Sequence, residues 1–121
     1  MLRKIAVLFG IIFVVIGVLG FVPGVTTNGM LLGLFHVNLL HNVVHLLSGA
    51  VALYAGNYSE DASRKFFQIF GVVYGIVAVL GFYYGPQDIL GVLANNNYDT
   101  GLHVVIALAS LYLGFLYKEI E

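Results

Sequence analysis

The sequence predicts an all-α fold: an integral membrane four-helix bundle built from two parallel helical-hairpin repeats. Three observations carry that expectation. The composition is too apolar for a water-facing surface. Four long apolar runs are separated by turns and charges. The second half of the chain repeats the first.

Of 121 residues, 60% are hydrophobic and only 9% are charged, where a soluble domain has about 25% charged residues. Mean hydropathy is +0.98. Five basic and six acidic side chains do not cover a soluble domain. There is no cysteine, which removes disulfides and thiolate chemistry. The net charge of −1 comes without a basic patch, so nucleic acid is not an expected partner.

The first apolar run is 5–22, ending at Pro23-Gly24; the others are about 37–56, 66–84 and 101–117. Each approaches the roughly 20 residues that cross a bilayer as a helix. Four such helices with almost no charged face cannot all be core, because some must form the exterior. "MLRK" before an apolar run resembles a signal peptide, but no small-x-small cleavage site follows, and span one is expected to stay in the fold. Arg3 and Lys4, Arg64 and Lys65, and Lys118 all fall on one side of this topology, whereas the connections 23–36 and 85–100 hold no Lys or Arg. That asymmetry places both termini in the cytoplasm of a bacterial-type plasma membrane. Glu60, Asp61, Glu119 and Glu121 share that side but count little.

The repeat spans about 8–56 and 69–114. "LFGIIFVVIGVLGFVPG" and "IFGVVYGIVAVLGFYYG" match at seven of seventeen positions at an offset of 61. The second helices match at an offset of 58: Asn38 with Asn96, His41 with Asp99, His45 with His103. The outer connections therefore differ by three residues, where length variation is cheap. Each unit has an even number of spans, so the copies enter the membrane in the same direction. A pseudo-twofold bundle is expected. Hairpins packed without that symmetry, or completed by dimerisation, are the alternatives.

Small residues allow close helix approach in lipid. Gly20 with Gly24 and Gly71 with Gly75 have GxxxG spacing, and Ala52/Gly56 and Ser110/Gly114 are small-xxx-small pairs. These glycines and Gly49 are the expected packing positions. The apolar runs Gly29–Phe35 and Asp88–Ala94 are expected to be short interfacial helices or early turns of the next span. Tyrosines 83, 84 and 98 suit the outer interface, and 54, 58, 112 and 117 the inner one. Glu60/Arg64 and Asp61/Lys65 are i,i+4 pairs suited to a short helix or the run-in to span three.

Three of the four histidines lie in "FHVNLLHNVVHLL". Asn38, His41 and His45 form one helical stripe, and Asn96, Asp99 and His103 the matching one. His36 points elsewhere, at the helix entrance or in a cap. Ionisable groups within a span face the bundle interior. The expected layout puts His45 against His103, with His41 and Asp99 one turn outward and the two asparagines capping the cluster. The first reading is a hydrogen-bond network in a structural or accessory protein, without a cofactor. The second is a transition-metal site of His41, His45, Asp99 and His103. A third is haem held between His45 and His103. Proton or small-solute passage is a fourth. No catalytic residue is assigned: there is no HExxH and no glutamate near the cluster. The expected surroundings are the lipid bilayer, with a membrane-protein partner or a second copy of the chain.

"GLFHVNLLHNVVHLLSG" and "FFQIFGVVYGIVAVLGF" resemble the small bacterial and cyanobacterial four-span proteins grouped as domain of unknown function 4383. The matching positions are Asn38, His41, Asn42 and His45, with "DTGLH" from Asp99 to His103 standing where the family shows a "DxxLH"-like run. The resemblance implies a multi-pass plasma-membrane protein and no established activity, cofactor or partner.

Overall fold

The computed structural model describes residues 1–118; Glu119 and Glu121, placed above on the cytoplasmic side, lie outside the described residues. Helix α1 is Leu2–Leu19, α2 Leu39–Tyr58, α3 Glu60–Tyr84 and α4 Asn97–Leu111, continued by a π-helical turn, Tyr112–Leu116. All four, with the π turn counted into the last, have the length and apolarity of membrane spans, at mean hydropathies of 2.5, 1.3, 2.0 and 1.6. α1 and α3 begin earlier than apolarity alone marks, because their charged first turns belong to the helices, and α2 begins two residues later than expected. In α3 the first-turn charges are Glu60 and Asp61, which suit a helix N-terminus. A single residue, Ser59, separates α2 from α3, and its hydroxyl caps α3 by accepting from the Ala62 amide.

α1 packs chiefly on α2, and α3 on α4, with lesser α2–α3 and α1–α3 contact. Two hairpins thus assemble into one bundle. Aromatic rings fill the space between them. Phe9 meets Phe67 and Phe70 edge to face at 5.5 and 5.3 Å, and Phe13 meets Phe70 at 5.5 Å. Phe67 is fully buried. Lipid-facing side chains such as Leu8, Val51, Ile69 and Phe82 are exposed, as an apolar solvent permits.

Glycine sets the spacing within each hairpin. A methyl on Gly10 would come within 2.7 Å of the Gly49 carbonyl, and one on Gly49 within 2.8 Å of the Gly10 carbonyl. Gly56 stands against Arg3 and Val7, Gly71 against Leu111 and Gly114 against Gln68, while Gly20 lies under the Asn42 side chain. Gly24 and Gly75 are corrections. Neither has a neighbour within 4 Å of an added Cβ. Gly24 instead takes a φ of +92° in the turn after α1, and Gly75 borders an open groove that it shares with Gly71 and Leu111. GxxxG spacing puts two glycines on one face, but neighbouring helices cross and need not follow that face along its length.

Arginine closes the helix ends on the side of the chain termini. Arg3 donates to the carbonyls of Gly56 and Asn57 at the end of α2 (2.9 and 2.7 Å). Arg64 donates to Leu113 and Tyr117 at the end of the fourth span (3.2 and 2.7 Å). The last carbonyls of a helix are the ones its own backbone leaves to other donors, and a cation beside a helix C-terminus is favoured by the dipole. The Glu60–Arg64 and Asp61–Lys65 pairs form at 3.5 and 3.1 Å. They lie at the surface, where such pairs contribute little.

The connections α1–α2 and α3–α4 are turns and short strands, neither the short interfacial helices nor the early turns of the next span that were expected. In the first, β1 Thr26–Thr27, β2 Met30–Leu31 and β3 Phe35–His36 form a three-stranded antiparallel meander. Asn28-Gly29, both at positive φ, joins β1 to β2. Asn-Gly is the strongest short hairpin signal, and here it overrides the apolar run behind it. Leu32-Gly33 and Leu90-Gly91 both adopt left-handed backbone, at φ of 55°, 71°, 53° and 73°. A leucine there is unusual, and the same turn occurs at an offset of 58.

Candidate functional site

The N-terminal ends of α2 and α4 carry the polar residues. Asn38 caps α2, its side-chain oxygen accepting from the His41 amide at 2.9 Å. Asn96 caps α4 in the same way through the Asp99 amide, also at 2.9 Å. Each spare amide nitrogen then crosses to the other half of the chain. Asn38 Nδ2 donates to the Val92 carbonyl at 2.9 Å, and Asn96 Nδ2 to the Leu34 carbonyl at 2.8 Å. Donors and acceptors are both separated by 58 residues, so the two bonds are reciprocal. The left-handed turns at Leu32-Gly33 and Leu90-Gly91 immediately precede the accepting carbonyls. The asparagines therefore bind backbone across the bundle and do not cap the histidine cluster.

Asp99 ties the outer layer together. Its Oδ2 accepts from the Asn96 amide at 3.0 Å, completing a capping box, and from the His36 amide at 3.1 Å. Its Oδ1 faces His41 Nε2 at 4.0 Å, with both side chains buried. His36 itself lies in β3, with Nδ1 3.3 Å from Asp88 Oδ1. The α2 cap is thus Asn38, and His36 serves the cluster through its backbone.

His41, His45, Asp99 and His103 are all more than nine-tenths buried. His45 stacks on Phe13 at 4.8 Å, and His103 meets Tyr74 edge to face at 5.3 Å. His41 lies 4.9 Å from the His45 ring and 6.1 Å, face on, from His103. The imidazole contact between the two halves is accordingly His41 with His103, where His45 with His103 was expected. His41 neighbours Asp99, His45 and His103 alike. The Nδ1 atoms of all three buried histidines have no hydrogen-bond partner among the described residues. A buried polar atom in that state costs about 1–3 kcal/mol.

Among the described residues, no group of three or more His, Cys, Asp or Glu side chains is placed to hold a metal ion. Imidazole faces meet one another and the neighbouring aromatics, and their nitrogens do not converge on one point. The geometry weighs against the metal set of His41, His45, Asp99 and His103, and against axial ligation of haem by His45 and His103.

Three further residues belong to this region. Buried Asn42 donates to the Gly20 carbonyl at 3.1 Å. Asn95, fully buried, donates to the Gly85 carbonyl at 2.8 Å. Thr100 Oγ1 donates to the Asn96 carbonyl at 3.2 Å and packs against Gly81. Asn42 is among the positions the family resemblance marks; the offset of 58 pairs it with Thr100 and would have found that residue, whereas Asn95 falls opposite Val37 and has no such signal. They fix the outer ends of α1 and α3 against α2 and α4.

A cavity of about 340 Å³ lies between α2 and α3, its inner wall formed by His41, His45 and His103. A second, smaller space of about 90 Å³ borders the same histidines and Asp99, lined by residues of α1, the first connection, α2 and α4.

No curated protein and no solved structure matches the chain. One family model does, over residues 3–116, and it describes a domain of unknown function, DUF4383. Four spans, two hairpins and an intramembrane His/Asp/Asn cluster agree with the multi-span membrane character of that family. The chain belongs to the DUF4383 family of multi-span membrane proteins.

Proposed function

We propose that this chain is a structural or accessory membrane component in which two copies of one hairpin are locked together at their outer ends. The observation that carries the proposal is the reciprocal exchange between Asn38 and Val92 and between Asn96 and Leu34. Asp99 adds a third tie through the His36 amide. Interhelical polar contacts in membranes average roughly 0.6 kcal/mol and reach about 1.7. Each asparagine also caps a helix, for about 1 kcal/mol. The pattern repeats at the inner end, where Arg3 and Arg64 hold equivalent helix ends, and it supports an internal repeat of about 8–56 with 69–114.

Both termini belong on the cytoplasmic side of the plasma membrane, since Arg3, Lys4, Arg64, Lys65 and Lys118 lie at one end. A membrane-protein partner, or a second copy of the chain, would meet it through the lipid-facing helices.

A double-mutant cycle of Asn38→Ala and Asn96→Ala tests the lock. Both bonds join the same two outer connections, so the second loss is expected to depend on the first, with coupling of about 0.5 kcal/mol or more. Strict additivity would overturn the reading. For orientation, the absence of native cysteine permits single-cysteine labelling. Thr27→Cys should react with an impermeant maleimide on intact cells, and Asp61→Cys only after permeabilisation. The reverse pattern would overturn the topology.

A further inference from the structure

We infer that a groove at the start of α1 binds an anionic glycerophospholipid, with its phosphate against Arg3 and Lys4 and one acyl chain along the side of the helix. This goes beyond the structural role proposed above and lies at the other end of the bundle from the asparagine exchange.

The groove, of about 510 Å³, runs between the start of α1 and the end of α2. Arg3 and Lys4 stand at its head beside Asn57, and Val7, Leu8 and Ile11 continue it along α1. Lys4, Leu8 and Ile11 have the i, i+4, i+7 spacing of one helix face, and all three are exposed. At 1.5 Å per residue, that face runs about 10 Å from the charge into the span. A cationic head at the end of a membrane helix, with an apolar strip leading away from it, matches the two parts of a phospholipid.

The cations are placed for a phosphate. Arg3 donates from Nε to the Gly56 carbonyl at 2.9 Å and from Nη2 to the Asn57 carbonyl at 2.7 Å. These bonds hold the guanidinium at the groove, and Nη1 remains for an outside acceptor. Lys4 forms no ion pair among the described residues. A guanidinium matches phosphate geometry, and an ammonium serves it as a point charge.

The repeat supplies the comparison that makes this end distinct. At an offset of 61, Arg64 and Lys65 correspond to Arg3 and Lys4. Arg64 likewise donates to carbonyls at the end of its neighbouring helix. Its Nη2, however, lies 3.5 Å from Glu60, and Lys65 lies 3.1 Å from Asp61. The first turn of α3 holds those two carboxylates, and the first turn of α1 holds none. One hairpin end is therefore balanced within itself, and the other presents two cations without a carboxylate partner among the described residues. The bilayer supplies the counter-charge at that level as lipid phosphate, and basic side chains there favour heads of net negative charge. A zwitterionic head carries its own ammonium and gains less.

The test titrates the full chain, in mild detergent micelles, with dioleoyl phosphatidylglycerol and separately with dioleoyl phosphatidylcholine. Bound lipid is counted by native mass spectrometry. A saturable phosphatidylglycerol adduct is expected, with about five-fold or more the affinity of phosphatidylcholine. Lys4→Gln should weaken it about five-fold, the factor one basic side chain contributes near a membrane surface. Lys65→Gln changes the net charge equally and should leave retention as in wild type. Arg3→Gln should weaken retention by more than Lys4→Gln does. Helicity is followed throughout, and Lys4→Gln, at an exposed position, decides if Arg3→Gln fails to fold. Equal retention of the two lipids would overturn the inference, as would wild-type retention by Lys4→Gln or an equal loss in Lys65→Gln. Displacement by millimolar inorganic phosphate would overturn it too, by showing that the site reads a free anion and not a lipid.

Discussion

Gly71 and Gly75 are one turn apart in α3 and have the same GxxxG spacing, yet the structure assigns them opposite roles. A methyl on Gly71 would sit 2.9 Å from the Leu111 backbone nitrogen and 2.9 Å from the Leu111 Cγ and Cδ2. Ordinary contact begins at 3.4 Å, so Gly71→Ala forces α3 and α4 apart by about 0.5 Å or bends a side chain that has backbone behind it. Overpacking of this kind costs about 1–3 kcal/mol. A methyl on Gly75 meets nothing within 4 Å. There the exchange only removes the conformational cost of glycine in a helix, a gain of about 0.5–1 kcal/mol. Both variants carry that same gain, so the difference between them isolates the clash, at about 1–3 kcal/mol. The assay is reversible unfolding in mixed micelles of mild detergent and dodecyl sulfate, followed by helicity. Gly71→Ala should lie below wild type or near it, and Gly75→Ala above it. Equal effects, or the larger loss at Gly75, would refute the helix crossing described here.

Three other expectations follow from named contacts. Gly71→Leu should disrupt the fold more than Leu80→Ala, because a large side chain cannot enter a contact already too close for a methyl; the same unfolding assay decides it. Arg64→Gln should lower stability by about 1–2 kcal/mol, since the Leu113 and Tyr117 carbonyls lose charged donors, and amide exchange should quicken in the π turn before it does in α2. Leu90→Asn should be neutral or stabilising by up to about 1 kcal/mol, because Leu90 is exposed at a φ of 53° and asparagine tolerates left-handed backbone; a loss above about 1 kcal/mol in the unfolding midpoint analysis would contradict it.

The sequence by itself determined the spans, because a bilayer admits only segments that satisfy their own backbone, and such segments must be long and apolar. It also determined that the polar stripes of α2 and α4 face inward, since lipid rejects them. The offset of 58 aligned Asn38 with Asn96 and His41 with Asp99 before any coordinate. Only the tertiary structure decided which atoms meet. Asn38 and Asn96 reach backbone carbonyls in the opposite connection, and no side-chain pattern announces a carbonyl. His41 rather than His45 stacks on His103, because ring contacts depend on how far two helices slide and rotate, and a spacing rule fixes neither. Gly75 faces open space while Gly71 touches Leu111, because helices cross at an angle and diverge within a turn or two. The Asn28-Gly29 hairpin was present in the sequence as a local turn signal, and a neighbouring apolar run obscured it.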